Sequence, residues 1–395
     1  MTNLPQGWEK FNFDNIFYSP SSKNYQLNTK DYLDKGCIPI IDQSKKFIIG
    51  YSNNYEKIFK INNCNNSCII FGDHTRVLKF IDFDFIVGAD GVKILLNKDI
   101  ERFNTKFLFF QLLYKDIPLL GYRRHFSVLK QNTFIIPPLK EQERIVGILD
   151  EGFAKIDESI KILEQDLLNL DELMQSALQK AFNPLKDNAK ENYKLPQGWE
   201  WKSLSEIAVT SSGGTPSRNK KEYWENGTIK WLKSGELNDG YIGFIEENIT
   251  QEAIENSSAK IFPKGTLLIA MYGATAGKLG ILDLYSATNQ AICAFLHKNN
   301  KNIKFFEKFL FYFLFFIRDK IIKDSFGGAQ PNISQTYIKN LQIPLPPLQE
   351  QEQIASHLDE LSSHVKNLKQ NYQMQIKNLQ ELKKSLLDKA FQGRL

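Results

Sequence analysis

Cysteine is scarce in this chain, with four among 395 residues, and only Cys64 and Cys68 lie close together. They sit in an asparagine-rich stretch with no histidine at zinc-ligand spacing. Neither a disulfide framework nor a zinc site is expected, and reduced thiols in a cytoplasmic protein are the simpler reading. Long apolar runs are also missing. The longest, Phe309 to Ile317, is about half of what a bilayer span needs. Residues 1–20 are polar and aromatic, unlike a signal peptide. Secretion and membrane insertion are therefore not expected. Charge of one sign does not dominate: 50 basic against 45 acidic residues leave +5, a mild excess that suits an anionic partner without establishing one. What is present is core material. Hydrophobic residues make up 42% and aromatics 12%, enough at this length for two or three domains.

The chain repeats itself. LPQGWE stands at 4–9 and again at 195–200, an offset of 191. KFLFF at 106–110 is echoed by KFLFY at 308–312, an offset of 202. PPLKEQERI at 137–145 is echoed by PPLQEQEQI at 346–354, and KAF at 180–182 by KAF at 389–391, both at 209. The offset grows through the first part of each half and then stays fixed. Two halves therefore share one plan, with loops of different length early on and a final segment of constant length.

That final segment reads as one long helix in each half. Double prolines at 137–138 and 346–347 mark its start, and Glu141 and Glu350 suit a helix N-terminus. In the first half, Leu149, Phe153, Ile156, Ile160, Leu163, Leu167, Leu170, Met174, Ala177 and Ala181 form an unbroken heptad seam. The second seam is rougher: Leu358, Leu361, Val365, Leu368, Tyr372, Ile376, Leu379, Leu382 and Leu386. Any buried helix carries an apolar stripe, but this length favours coiled-coil pairing. Each helix would be about 65 Å long. Antiparallel pairing within the chain would bring each helix end near the start of the other, with pseudo-two-fold symmetry and a module at either end. The fold class expected is α+β. Its parts are a first module at 1–136, a spacer helix at 137–182, a linker at 183–194, a second module at 195–345 and a second spacer helix at 346–395.

Charge divides along these lines. Residues 139–182 carry five basic and ten acidic side chains, and residues 348–391 carry six of each. With +5 overall, the remainder holds +10, so the modules are the parts suited to phosphate. Both mix short strand-like runs with one aromatic helix. Ser67–Phe71, Phe85–Val87 and Val92–Leu96 look like strands in the first, and Thr228–Leu232, Thr266–Met271 and Ala291–Leu296 in the second. The helices Phe103–Tyr114 and Phe305–Ile317 offer phenylalanines that belong to a core rather than to base stacking.

The polar loops differ between the modules, and they supply the candidate DNA-binding residues. In the first module these are His74, Arg76 and Lys79 around one loop, and Arg123, Arg124 and His125 around another. In the second they are Thr215, Ser217 and Arg218, then Lys233 and Ser234, then Gln330 and Asn332. Such side chains on loops suit base edges and phosphates, although any solvated loop can look alike.

Catalytic motifs fail on inspection. Gly273–Leu279 resembles a phosphate loop, but it has three residues between its glycines instead of four, and Leu279 where a hydroxyl is needed. The double prolines lack both the polar residue before them and the aromatic after them that an amino-methyltransferase requires. Glu381–Leu382–Lys383 lies on the second long helix with no partner aspartate, so no nuclease centre is visible.

The chain resembles the specificity subunits of type I restriction–modification enzymes. The twice-used LPQGW, GGAQPNIS at 327–334, PLPPLQEQ with its PPLKEQE counterpart, and two long helices ending in KAF carry the likeness over the whole chain. GDHTR, GADG, SGGTPSR and ATNQA also resemble target-recognition modules of that family. One departure is that the first module has Tyr122–Arg123–Arg124–His125 where the second has GGAQPNIS. The resemblance implies a subunit without catalysis of its own. Each module would read one half of a split DNA sequence, and the helices would fix the gap and dock two methyltransferase subunits, with restriction subunits able to join. S-adenosylmethionine, ATP and magnesium would belong to those partners, and no cofactor or metal to this chain. Two other readings are an S-like guide subunit of a type II nuclease–methylase and a coiled-coil scaffold with no DNA role.

Overall fold

The structure is a computed structural model, and it describes residues 6–64, 66–88, 90–118, 124–182, 195–298, 304–325 and 332–395. It divides into two compact units, one of Met1–Glu164 with Tyr372–Leu395 and the other of Gln165–Asn371. Both are α+β. The long helices run Leu139–Phe182 and Leu348–Phe391, 44 residues each, so each unit holds part of both.

In the first unit the repeated LPQGWE peptide closes the module. Gly7 takes φ +84°, open to glycine at little cost, and turns the chain against Pro138. The next residues, Glu9–Asn12, pair antiparallel with Thr133–Ile136, so the module's two ends meet where the long helix begins. Gln142 locks that junction. Its buried amide donates to the carbonyls of Arg102 (2.9 Å) and Pro137 (2.8 Å) and accepts the Asn104 N–H (2.8 Å). Asn104 in turn caps the helix Thr105–Tyr114, its side chain accepting the N–H groups of Lys106 and Phe107. A four-stranded antiparallel sheet runs in the order Phe17–Tyr18, Val92–Asn97, Cys68–Gly72, Leu78–Ile81. A smaller sheet pairs Gly50–Ser52, Ile38–Ile41 and Ile86–Val87. Phe13, Phe107, Phe134 and Leu149 form the core, and the end of the second long helix joins them through Leu387, Ala390 and Phe391. The Phe391 ring lies 5.4 Å from Phe107 and 5.2 Å from Tyr114.

The second unit repeats the glycine turn, the ribbon and the glutamine lock. Gly198 takes φ +87° against Pro347, and Glu200–Ser203 pairs with Gln342–Leu345. Gln351 donates to the Pro346 carbonyl (2.9 Å) and accepts the Phe306 N–H (2.8 Å). Trp199 adds a bond from Nε1 to Glu350 (3.0 Å). The main sheet runs Ala208–Ser212, Ile292–His297, Leu267–Ala270, Leu279–Leu282, Gly240–Ile242, and its last strand, paired parallel, has no counterpart among the described residues of the first unit. A second sheet orders Asn248–Ile249, Ile229–Leu232, Ser286–Thr288 and Ile261–Phe262. The helix Glu307–Phe316 packs on Phe182, whose ring lies 5.2 Å from Phe309 and 5.6 Å from Phe313. Each KAF is thus an aromatic anchor in a module core. The strand and helix expectations hold within a residue or two, and the phenylalanines of both aromatic helices are largely buried.

Within each unit the helix segments pack antiparallel. In the first, Gly152 faces Leu386, while Lys383 pairs with Asp157 and lies 4.8 Å over the Phe153 ring. In the second, Lys369 pairs with Asp171, and Leu178 shares a core with Leu358. The first seam is buried or half-buried throughout. The second seam needs correction: Leu368 and Leu382 are 40% and 47% exposed. Lys369 and Lys383 take their places, covering the seam with their methylene stems while their ammonium groups reach the aspartates. From Val365 to Leu386 that restores the alternation of four and three.

Candidate nucleic-acid interface

In the second unit, the loop after the strand Ala208–Ser212 carries Thr215, Ser217 and Arg218, and the turn after Ile229–Leu232 carries Lys233 and Ser234. The loop after Ser212 is held down first by backbone. The Gly214 N–H donates to the Thr288 carbonyl at 2.9 Å. Any Cβ on Gly213 would come within 2.1 Å of that carbonyl oxygen, so only glycine fits. Two tryptophans then support the loop from beneath. Trp231 Nε1 donates to the Gly214 carbonyl (3.0 Å) and Trp224 Nε1 to the Ser217 carbonyl (3.1 Å). On this platform the Arg218 guanidinium lies 3.6 Å from the Trp224 ring centre and 5.1 Å from that of Trp231.

Glu247 ties Arg218 to Lys233. Its Oε2 accepts from Arg218 Nη2 and its Oε1 from Lys233 Nζ, both at 2.6 Å. Burial pushes the Glu247 carboxyl up, but the bonds from Lys233 and Arg218 outweigh this and hold it below its ordinary value. The same bond raises Lys233. Thr215 donates to the Gln290 side chain, which also reaches Tyr272. Tyr272 bridges to Asn332, which is exposed. Ser234 opens the short turn after Lys233 and is half-buried. Ser217, Arg218 and Lys233 are thus linked through Trp224 and Glu247, and Thr215 and Asn332 through Gln290 and Tyr272, while Gln330 lies outside the described residues.

The first unit places its candidates less uniformly. Gln43 organises the loop at 73–76: its side chain accepts the His74 N–H (3.1 Å) and donates to the Asp90 carbonyl (2.7 Å), and its own carbonyl accepts from the Thr75 hydroxyl. His74 is exposed. Arg76, at φ +61°, turns back and donates to the Ile117 carbonyl. Arg124 is exposed, and Arg123 lies outside the described residues.

Two candidates are withdrawn. Lys79 is 3% exposed and points inward, donating to the Lys46 (2.6 Å) and Phe47 (3.3 Å) carbonyls beside Asp42. Burial lowers its pKa despite that aspartate. His125 is 1% exposed. Its N–H donates to the Asp73 carbonyl as the Ile333 N–H does to Met271 in the second unit, so it fills an isoleucine's core position. Sequence reasoning also missed Gln43, Trp224, Trp231, Glu247 and Gln290 as parts of these loops. Two tryptophans seven residues apart in a polar stretch were the available signal.

The arrangement offers hydrogen-bond donors and acceptors on loops held by hydrogen bonds. The Gly273–Leu279 string forms the turn between two antiparallel strands rather than the opening of a helix, so it is no phosphate loop.

The profile of the type I restriction modification DNA specificity domain matches residues 5–167 and again 196–378. The chain belongs to this family. Its two family segments correspond to the two halves of the sequence repeat. Among curated relatives, the chain is similar to the type I restriction enzyme EcoR124I/EcoR124II specificity subunit of Escherichia coli. Identity is 26% over 347 residues, covering 86% of this chain and 83% of that one. Two solved structures show the same fold. One, described as the structural basis of complex assembly and conformational transition of the type I R-M system, superposes with a TM-score of 0.72 at 20% identity over all of both chains. The other, the HsdS subunit from Thermoanaerobacter tengcongensis, gives 0.54 at 20% identity over 99% of this chain and 98% of that one. For this member of the specificity family, no helix among the described residues is long and apolar enough to cross a membrane.

Proposed function

We propose that this chain is the DNA-reading subunit of a type I restriction–modification complex in the cytoplasm, with each module reading one half of a bipartite target. The observation that carries the reading is the family's duplicated unit, in which the junction glutamines, the ribbons and the aromatic anchors recur while the loops differ. A constant frame with variable loops suits two independent readers. The helices would set the unread gap and dock two methyltransferase subunits, to which restriction subunits can be added. Catalysis, S-adenosylmethionine, ATP and magnesium would reside in those partners. The excess of +10 outside the helices favours phosphate contact, so affinity for duplex DNA should fall linearly with salt on logarithmic axes. The test is to replace residues 1–136 by another family module and sequence the methylated bases in cells. One half of the methylated motif should change and the other stay; a motif altered in both halves would overturn independent reading.

A further inference from the structure

Arg218 is more constrained than a phosphate contact needs to be. Its guanidinium carbon sits 3.6 Å over the Trp224 ring, and Glu247 takes one edge through a single bond to Nη2. The loop that carries it is pinned to both indoles through the Gly214 and Ser217 carbonyls. Yet the side chain remains 53% exposed, so the remaining guanidinium donors are open to solvent. A flat fork of parallel N–H donors, held in one orientation and left half-open, is complementary to two acceptors side by side on a planar edge. In the major groove of DNA that pattern belongs to guanine, whose O6 and N7 both accept; adenine sets an amino donor at one of these places.

Resting on the DNA-reading function above, we infer that Arg218 reads a guanine in the half-site of the second module, with Trp224, Trp231 and Glu247 as positioning residues. The ion pair with Glu247 turns the fork rather than neutralising it, because one carboxylate oxygen takes Arg218 and the other takes Lys233. Losing Glu247 therefore leaves the charge but loosens its aim. A phosphate contact would behave differently: it would lower affinity for all sequences alike.

The test is selection from a duplex library with randomised half-sites, using the full chain together with its methyltransferase subunits. The variants are Arg218→Lys, Arg218→Ala and Glu247→Gln, with circular dichroism as the check of folding. Wild type should select a G·C pair at one position of the half-site that changes when residues 195–345 are exchanged. Arg218→Lys, which keeps the charge and a partner for Glu247, should lose preference at that position alone by roughly 5- to 150-fold. Arg218→Ala should do the same, and Glu247→Gln should weaken the preference by a smaller factor. Full retention of the motif by Arg218→Lys, a uniform drop in affinity without relaxation, or a half-site with no dependence on guanine would each overturn the inference and leave module-by-module reading intact. Should wild type select no sequence at all, the DNA-reading function itself falls, and this inference with it.

Discussion

At equivalent places in the two units, the residue after the strand Ile38–Ile41 is Asp42, and the residue after Ile229–Leu232 is Lys233. Each has a partner of opposite sign, but the signs are exchanged. Asp42 is met by Lys79, buried and spent on neighbouring carbonyls; Lys233 is met by Glu247, with the lysine facing outward. The same backbone position therefore hosts an acid that meets a buried lysine in one unit and a half-exposed lysine in the other. A basic residue on a loop is informative about DNA contact only once its partner is known. The ribbons, junction glutamines and aromatic anchors are duplicated, whereas the loops and the side chains that hold them are rewired.

The strongest way to break this comparison is through the aromatic anchors. Phe182→Ala and Phe391→Ala each empty a buried site among phenylalanine rings and should cost roughly 3–5 kcal/mol. Because each anchor lies in a different unit, amide exchange should report the loss locally, residues 204–345 for the first and 13–136 for the second. Costs that differ by more than about 2 kcal/mol would show that the units are not equivalent in packing.

A smaller effect separates the two cations. Lys79→Met leaves Asp42 and two carbonyls without their partner and should destabilise by about 1–3 kcal/mol in urea unfolding, with the salt dependence of DNA binding unchanged. Lys233→Met removes one exposed ion pair, worth less than about 1 kcal/mol. It should instead reduce the logarithmic salt slope of DNA binding by about 1. The opposite pattern would reverse the assignment of which cation faces DNA.

The smallest effect is one of pH. Glu247 sits below its ordinary 4.5, so the stability from its pairing is present above that value and lost as pH falls through its lower folded value. Lys233 sits above its ordinary 10.5, so its share is present below that value and lost as pH rises through its higher folded one. Tryptophan fluorescence from the Trp224 platform should be flat between these limits and change beyond them. In Glu247→Gln the acid transition should vanish; its persistence would assign it to another carboxylate.

The repeat, the long helices and the aromatic cores were legible in sequence because each is a pattern of spacing, and spacing survives translation into structure. The loops were legible only in part. Lys79 and Arg218 look alike in sequence, both basic and near a strand end, yet one is buried by contacts from residues 42–47 and the other is lifted by tryptophans at 224 and 231. The partners of Arg218 are close by and differ only in residue type, while those of Lys79 lie more than thirty residues back, where local propensity carries no information. His125 was misjudged for the same reason, since its burial depends on the carbonyl of Asp73. The rough second seam had a local cause: a lysine stem serves as an apolar residue when an aspartate waits at its tip.

The two lysines that complete that seam stand fourteen residues apart, Lys369 and Lys383, and so do the aspartates they meet, Asp157 and Asp171. Equal intervals on two opposed helices make a comparator of length. Losing one residue between 157 and 171 shortens that interval by about 1.5 Å and turns everything beyond it by about a quarter of a circle relative to the unchanged strand of the pair. The apolar seam beyond the deletion would then fall out of phase with the seam before it. Heritable change in the span of these helices should thus arrive in matched pairs of insertions or deletions, one in each half of the gene, with single ones purged.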